Sequence, residues 1–372
     1  MRVIMISKAL VVGAYHRKIS EMAKLGMKID LVIPTTWGNQ MPEISKSADY
    51  NIHLLPISLS GKNHFHFYHG LSSFVNTLAP DILHIDEEPY SIVTYQAMKI
   101  AQRKNIGSLF YTWQNIYKKY PFPFSGIERY SYNVAQTAIA GNQEAKEILR
   151  RKGFQKEIFV IPQFGVDTKV FSRKDDGNIR ENLFGSNKIE VIGYIGRLVE
   201  EKGILTLLEA FAKLKETSRL LIVGNGPFKG KIIESSNNLK IIDRVVILDS
   251  VPSEKVVNYL NCLDCLVLSS LTKLNWKEQF GRILIETMAC EVPVIGSNSG
   301  EIPIVIGDAG LIFIEGDAAD LREKIDSILS NSQMMEEYKK RGRRRVIENY
   351  TQKHIAEQTL QVYEYILKRS AL

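Results

Sequence analysis

Gly193-Tyr194-Ile195-Gly196-Arg197-Leu198-Val199-Glu200-Glu201-Lys202-Gly203 leads from a short apolar run through glycine and arginine to Lys-Gly at the mouth of a helical pattern. Upstream, 189–195 reads as a buried strand. Downstream, Ile204, Leu205, Leu207, Leu208, Phe211, Ala212 and Leu214 recur at helical spacing and predict a helix over 202–215. The same alternation continues, with strands expected at 219–223, 244–248, 264–268, 292–296 and 311–314. Helices are expected at 253–261, 281–290, 318–330 and 332–347. Ahead of the quoted stretch lie strands at 2–6, 28–33, 51–55, 81–85, 107–112, 136–140 and 157–161, with helices over 89–103 and 142–151. Residues 172–188, with Asp175-Asp176-Gly177-Asn178, are polar and read as a link. Two α/β halves with parallel sheets follow, and 372 residues suit two domains. A ligand is expected at the carboxyl ends of the strands, in the crevice between the halves.

Composition narrows the class. Hydrophobic residues are 45% and charged residues 24%, which excludes a wholly disordered chain. No apolar run approaches the roughly 18 residues of a membrane-spanning helix. The opening Met1-Arg2-Val3-Ile4-Met5-Ile6-Ser7 is too short for a signal peptide and reads as a strand. Cys262 and Cys265 have CxxC spacing, but no second CxxC or histidine pair stands near them, which argues against zinc. Three cysteines build no disulfide framework, so a reducing, cytoplasmic setting fits. The net charge of +7 allows an anionic partner without choosing phosphate, lipid or nucleic acid.

Three stretches carry chemistry. In the first, Gly196 lets backbone approach a ligand, Arg197 offers a planar fork and Lys202 a mobile charge, beside a helix N-terminus. The bland alternative is a turn with two solvated cations. In the second, Leu221-Ile222-Val223-Gly224-Asn225-Gly226-Pro227 ends a strand in glycines, but Phe228-Lys229-Gly230 breaks the dinucleotide spacing. Alone it is as well read as a tight turn. In the third, Trp276 to Ala289 places Glu278 in the loop before a helix and Glu286 inside it, within an apolar face. A buried glutamate there needs a hydrogen-bonding partner, which a ribose diol could supply. The alternative turns Glu286 to solvent. Gly300-Glu301-Ile302-Pro303 adds a loop at the same edge.

Taken in order, these motifs resemble glycosyltransferase family 4, whose members are retaining, nucleotide-sugar-dependent enzymes of the GT-B fold. The resemblance covers most of 189–315, and Ile161-Pro162-Gln163-Phe164-Gly165-Val166-Asp167 is similar to the family's linker. It implies two Rossmann-like domains with parallel sheets facing across a central cleft. They comprise an acceptor domain at 1–168 and a donor domain at 169–350, with a helix in 351–372 returning to the first. By matched position Arg197 and Lys202 hold the donor diphosphate, and Glu286 takes the ribose. Glu278 lies at the donor sugar, and Phe280 and Gly281 offer backbone N–H groups close by. Gly196, Gly224 and Gly226 line the donor. The leaving phosphate oxygen takes the acceptor proton, so the resemblance implies no metal and no tightly bound cofactor.

The first half departs from that pattern. Its first loop, Ser7 to His16, has the single glycine Gly13, and Phe110-Tyr111-Thr112-Trp113-Gln114 lacks the histidine many members carry. Gly13, His16, Glu87, Glu88, Trp113 and Gln114 are the acceptor-side candidates. Asp86-Glu87-Glu88 reads equally well as acidic capping of the next helix, and His16 as a cap or surface residue. Lys62–His69 and Tyr117–Phe124 interleave rings and bases, which suits a headgroup interface, an acceptor wall or an ordinary loop. Lys339 to Arg345 is a dense cationic run, read as a solvated helix face that anionic lipid could use. The expected function is transfer of a sugar to a glycan, glycolipid or lipid-linked acceptor, at the cytoplasmic membrane face if the contact forms. The rivals are another GT-B chemistry, such as nucleotide-sugar epimerisation or phosphorolysis, and a basic binding module. No nucleic-acid motif is found.

Overall fold

The computed structural model describes residues 1–44, 49–175 and 178–370. They form two compact units, Met1–Gly165 with Gln352–Leu372, and Val166–Thr351. In the first unit the elements are β1 (Arg2–Ile6), α1 (Arg17–Lys24), β2 (Lys28–Pro34), β3 (Asn51–Leu55), β4 (Ile57–Ser58), β5 (Phe67–Tyr68), α2 (Leu71–Leu78), β6 (Ile82–Ile85), α3 (Ile92–Lys104), β7 (Gly107–Thr112), α4 (Phe124–Val134), β8 (Thr137–Ala140), α5 (Gln143–Arg151) and β9 (Ile158–Val160). In the second they are α6 (Ile179–Phe184), β10 (Val191–Ile195), α7 (Ile204–Phe211), β11 (Arg219–Val223), α8 (Lys229–Asn238), β12 (Val245–Leu248), α9 (Ser253–Asn261), β13 (Cys265–Leu268), α10 (Arg282–Ala289), β14 (Val294–Ser297), α11 (Ile302–Ile306), β15 (Leu311–Phe313), α12 (Ala318–Ser330) and α13 (Ser332–Asn349). The last helix, α14 (Gln352–Ser370), belongs to the first unit.

The first sheet runs β3-β2-β1-β6-β7-β8-β9 and the second β12-β11-β10-β13-β14-β15. Every pairing in both is parallel. Parallel strands covered on both faces are apolar throughout, and β6, β8, β10 and β13 are buried along their whole length. In each sheet the strand order reverses once, between β1 and β6 and between β10 and β13. That reversal is the topological switch point, where loops diverge and leave room for a ligand.

The units part at 165/166 and 351/352, not at 168/169 and 350/351 as drawn from the sequence. Two hydrogen bonds explain the difference. Val166 N donates to Tyr350 O at 2.8 Å, within the second unit. Gln352 Nε2 donates to Gly165 O at 2.7 Å, within the first. The polar link at 172–188 contains α6, and Asp176 and Gly177 of the expected turn lie outside the described residues. Helices α2, α4, α6, α8 and α11 had no counterpart in the sequence, whereas α1 follows the helix start that His16 as a cap implied.

Two cations of the run on α13, Arg343 and Arg345, are engaged in bonds to carbonyls, whereas Lys340 and Arg344 are exposed. Arg343 donates to Ala289 O at 2.6 Å, Phe171 O at 3.0 Å and Thr168 O at 3.2 Å. Arg345 donates to Ile304 O at 2.6 Å and Val305 O at 2.8 Å, closing the end of α11. These two guanidiniums tie helix ends rather than forming a solvated face. Among the described residues no helix is long and apolar enough to cross a membrane. Cys262, Cys265 and Cys290 are buried thiols, not joined in disulfides.

α14 packs on α1 and buries Ile355, Ala356, Val362, Tyr363 and Ile366. A buried polar tie to the sheet is made by Tyr363, whose hydroxyl lies 2.7 Å from His84 Nδ1 on β6. The other ring nitrogen of His84 has no partner, and burial lowers its pKa to about 3, so the ring is neutral. Tyr363→Phe leaves a buried imidazole with no partner at either nitrogen. It should destabilise the protein by about 1–3 kcal/mol, read as a lower urea midpoint.

Candidate functional site

Beside the switch point of the second sheet, the glycine loops after β10 and β11 cross. Leu198 N donates to Asn225 O at 2.9 Å and Phe228 N to Leu198 O at 3.0 Å. A Cβ on Gly224 would stand 1.8 Å from Gly196 O, and one on Gly226 2.1 Å from Leu198 O. These two glycines therefore let the loop after β11 lie on the loop after β10. Gly196 meets only Tyr194 Oη at 3.1 Å. A 240 Å³ pocket opens beside the crossing, lined by Gly196, Arg197, Gly224, Asn225, Ser250 and Val256 among others.

Lys202 closes a single 3₁₀ turn two residues before α7. Its Nζ lies 2.5 Å from Glu278 Oε2, which also accepts from Ser270 Oγ at 2.8 Å. Glu278 is only 8% exposed, so neither partner is the solvated charge of the bland reading. Arg197 differs: its side chain is 66% exposed and only 3.9 Å from Glu201. Thr272 Oγ1 and Ser299 Oγ are 3.0 Å apart, and Ser297 Oγ donates to Ser270 O at 2.5 Å. This hydroxyl belt had no signal in the sequence, since serine carries no periodicity or charge.

Glu286 lies on α10 and is 7% exposed, which overturns its solvent-facing alternative. Arg282, one turn earlier, sits 2.7 Å from its Oε1. Burial raises the Glu286 carboxyl and Arg282 opposes the rise. Gly281 caps α10 at φ +76, where a Cβ would press Leu268 at 2.9 Å. Phe280 is buried against Tyr350, 5.8 Å between ring centres.

The first unit repeats the arrangement with different residues. β6 ends at Ile85, and α3 begins only at Ile92, with Ser91 at its cap. Asp86, Glu87 and Glu88 are therefore not first-turn caps. Asp86 accepts from Ser7 Oγ at 2.7 Å and Gln163 Nε2 at 2.9 Å. Glu87, 3% exposed, is paired with Lys8 through both its ammonium and its backbone N–H. Glu88 alone of the three is only half-buried. It accepts from Thr112 Oγ1 at 2.6 Å and Trp113 N at 2.8 Å. Burial pushes the Glu88 carboxyl up to about 7, against the lowering effect of those bonds.

The other acceptor-side candidates are occupied by the fold. His16 stands at the N-cap position of α1, but it is 3% exposed and its Nε2 lies 2.6 Å from Leu10 O, so its side chain is buried rather than capping or at the surface. Gly13 N donates to Glu43 Oε2 at 2.7 Å. The Trp113 indole covers Gly141, where a Cβ would come within 2.2 Å of the ring, and donates to Gln163 Oε1 at 2.9 Å. Gln114 accepts from Lys152 Nζ at 3.0 Å. In the Lys62–His69 stretch His66 and Tyr68 are core, and burial holds His66 near 3. Phe65 is 47% exposed and Phe122, in the second aromatic stretch, 87%.

Known proteins resemble this chain in sequence and in fold. Residues 175–345 match the family described as Glycosyl transferases group 1. The N-acetyl-alpha-D-glucosaminyl L-malate synthase of Bacillus anthracis is 30% identical over 217 residues, 57% of this chain and 55% of that protein. The chain thus spans about half that relative's length. The capsular polysaccharide biosynthesis glycosyltransferase CapM of Staphylococcus aureus is 26% identical over 77% of this chain and 73% of its own. The structure of sucrose-phosphate synthase from Thermosynechococcus elongatus superposes with a TM-score of 0.78 at 20% identity, covering 99% of this chain and 100% of that one. The fold, two Rossmann-like halves with parallel sheets, is that of the GT-B glycosyltransferases.

Gly203 tests how the Lys202 turn is held. It has φ +63, and a Cβ there would stand 1.9 Å from Ser269 O. Gly203→Ala should destabilise the protein by more than about 1 kcal/mol, seen as a lower melting temperature.

Proposed function

We propose that the protein is a retaining glycosyltransferase that moves a sugar from a nucleotide-diphosphate sugar to a hydroxyl acceptor of a glycan, glycolipid or lipid-linked saccharide. The observation that carries the reading is the Lys202–Glu278–Ser270 cluster at the second switch point, beside the crossed glycine loops. In this reading Lys202 and Arg197 face the diphosphate, and Glu286 with Arg282 receives the ribose hydroxyls. The 240 Å³ pocket beside Asn225 takes the base. Glu278 lies at the donor sugar. The bond from the anomeric carbon to the diphosphate oxygen breaks as the acceptor oxygen bonds to that carbon on the same face. The acceptor proton passes to the leaving phosphate oxygen. Cations and helix N-termini stabilise the charge that builds there, so the scheme calls for no metal and no tightly bound cofactor. The exposed Phe122 and Phe65, with Lys118 and Lys119 near the first of them in sequence, support a peripheral membrane contact.

Two measurements test the donor side. Among UDP-, GDP- and ADP-sugars, one class should raise the melting temperature, because a ligand at a hundred times its dissociation constant stabilises by about 2.7 kcal/mol. Glu278→Gln should then cut turnover by more than about tenfold with little change in donor affinity, since the charge matters most as the sugar becomes cation-like. Wild-type turnover in that variant removes the assignment. Release of free nucleotide without any acceptor favours a hydrolytic epimerase instead.

The acceptor side is tested by pH. The Glu88 carboxyl titrates near 7, so it is mainly neutral below that pH and charged above it. If its carboxylate receives the acceptor hydroxyl, kcat/KM for the acceptor rises with pH through about 7. Glu88→Gln should leave a low, flat profile through the same range.

A further inference from the structure

Lys202 has a second neighbour. The Trp276 ring centre lies 5.2 Å from its Nζ. Trp276 stands at the base of a tight hairpin, closed by Lys273 N to Trp276 O at 2.7 Å and Trp276 N to Lys273 O at 3.3 Å. The hairpin is laced to the turn that carries Lys202. Leu271 N donates to Glu201 O at 2.8 Å, and Lys273 Nζ to Glu200 Oε1 at 2.9 Å. Its tip does not fill the core, because Leu274 is 99% exposed. The hairpin therefore delivers one ring to one ammonium.

An indole face attracts a cation within about 6 Å through its quadrupole. It carries no negative charge, so it leaves the ammonium's charge available to an incoming anion. Glu278 cannot do this, since a carboxylate and a diphosphate compete for the same cation. We infer that Trp276 is a positioning residue that holds the Lys202 ammonium at the switch point for the diphosphate of the donor. This rests on the donor reading above, and the test separates the two.

The affinities of UDP, GDP and ADP are measured by calorimetry for the full chain and for Trp276→Phe, Trp276→Leu and Lys202→Ala. Both Trp276 variants keep an apolar side chain, and only Phe keeps a ring face. The nucleotide that binds wild type best should bind Trp276→Phe within about twofold. It should bind Trp276→Leu about two- to fivefold more weakly, the equivalent of an exposed cation–π contact, and Lys202→Ala more weakly still. Equal affinity in Trp276→Phe and Trp276→Leu overturns the inference, whether both match wild type or both fall. If Lys202→Ala also binds as wild type, or wild type binds none of the three, the donor reading itself fails.

Discussion

In each unit a lysine from the loop after the first strand pairs with a glutamate from beyond the switch point. Lys8 follows β1 and meets Glu87, which follows β6. Lys202 follows β10 and meets Glu278, in the loop between β13 and α10. Strand polarity makes both pairs possible. Parallel strands send all their carboxyl ends to one side, and the reversal of strand order parts two loops that would otherwise pack together. A cation from one loop and an anion from the other then bridge the gap.

Such pairs are poor sources of stability. Removing two charges from water costs several kcal/mol per ion, and their attraction repays this only with good geometry and further hydrogen bonds. Ser270 supplies one for Glu278, and the Lys8 backbone N–H one for Glu87. The glycines carry the steric counterpart. Gly203, Gly224, Gly226 and Gly300 each have backbone oxygen within about 2 Å of where a Cβ would lie, so these loops are packed on one another and rigid. Charges held on rigid loops are pre-organised, which is what binding an anion at fixed geometry requires.

Much of this was legible in the sequence. The sheet strands were found because fully buried parallel strands are short apolar runs, and α7, α9 and α12 because their apolar period is clear. α8 was missed because its sequence, Lys229–Asn238, is mostly polar and buries only Ile232 and Ser236. Glu278, Lys202 and Glu286 stood out as charges beside glycine or inside an apolar face. Lys8 did not, because its partner lies 79 residues away, and spacing along a chain cannot report a pairing made across a sheet. His16 and Trp113 were read as site residues for their chemistry, while their buried contacts to Leu10 and Gly141 depend on packing alone.

The two switch points also differ in the sign of their more exposed charged candidate. In the second unit it is Arg197, mostly exposed and 3.9 Å from Glu201. In the first it is Glu88, half-buried and fixed by Thr112 and Trp113, while Asp86 and Glu87 are satisfied within the fold. A cation beside glycine loops suits a polyanion. A carboxylate oriented by two donors repels one, and suits a hydroxyl that donates to it. Equivalent strand edges have thus taken opposite electrostatic characters. Under the proposed function, that difference keeps the charged donor and the neutral acceptor hydroxyl from competing for one site.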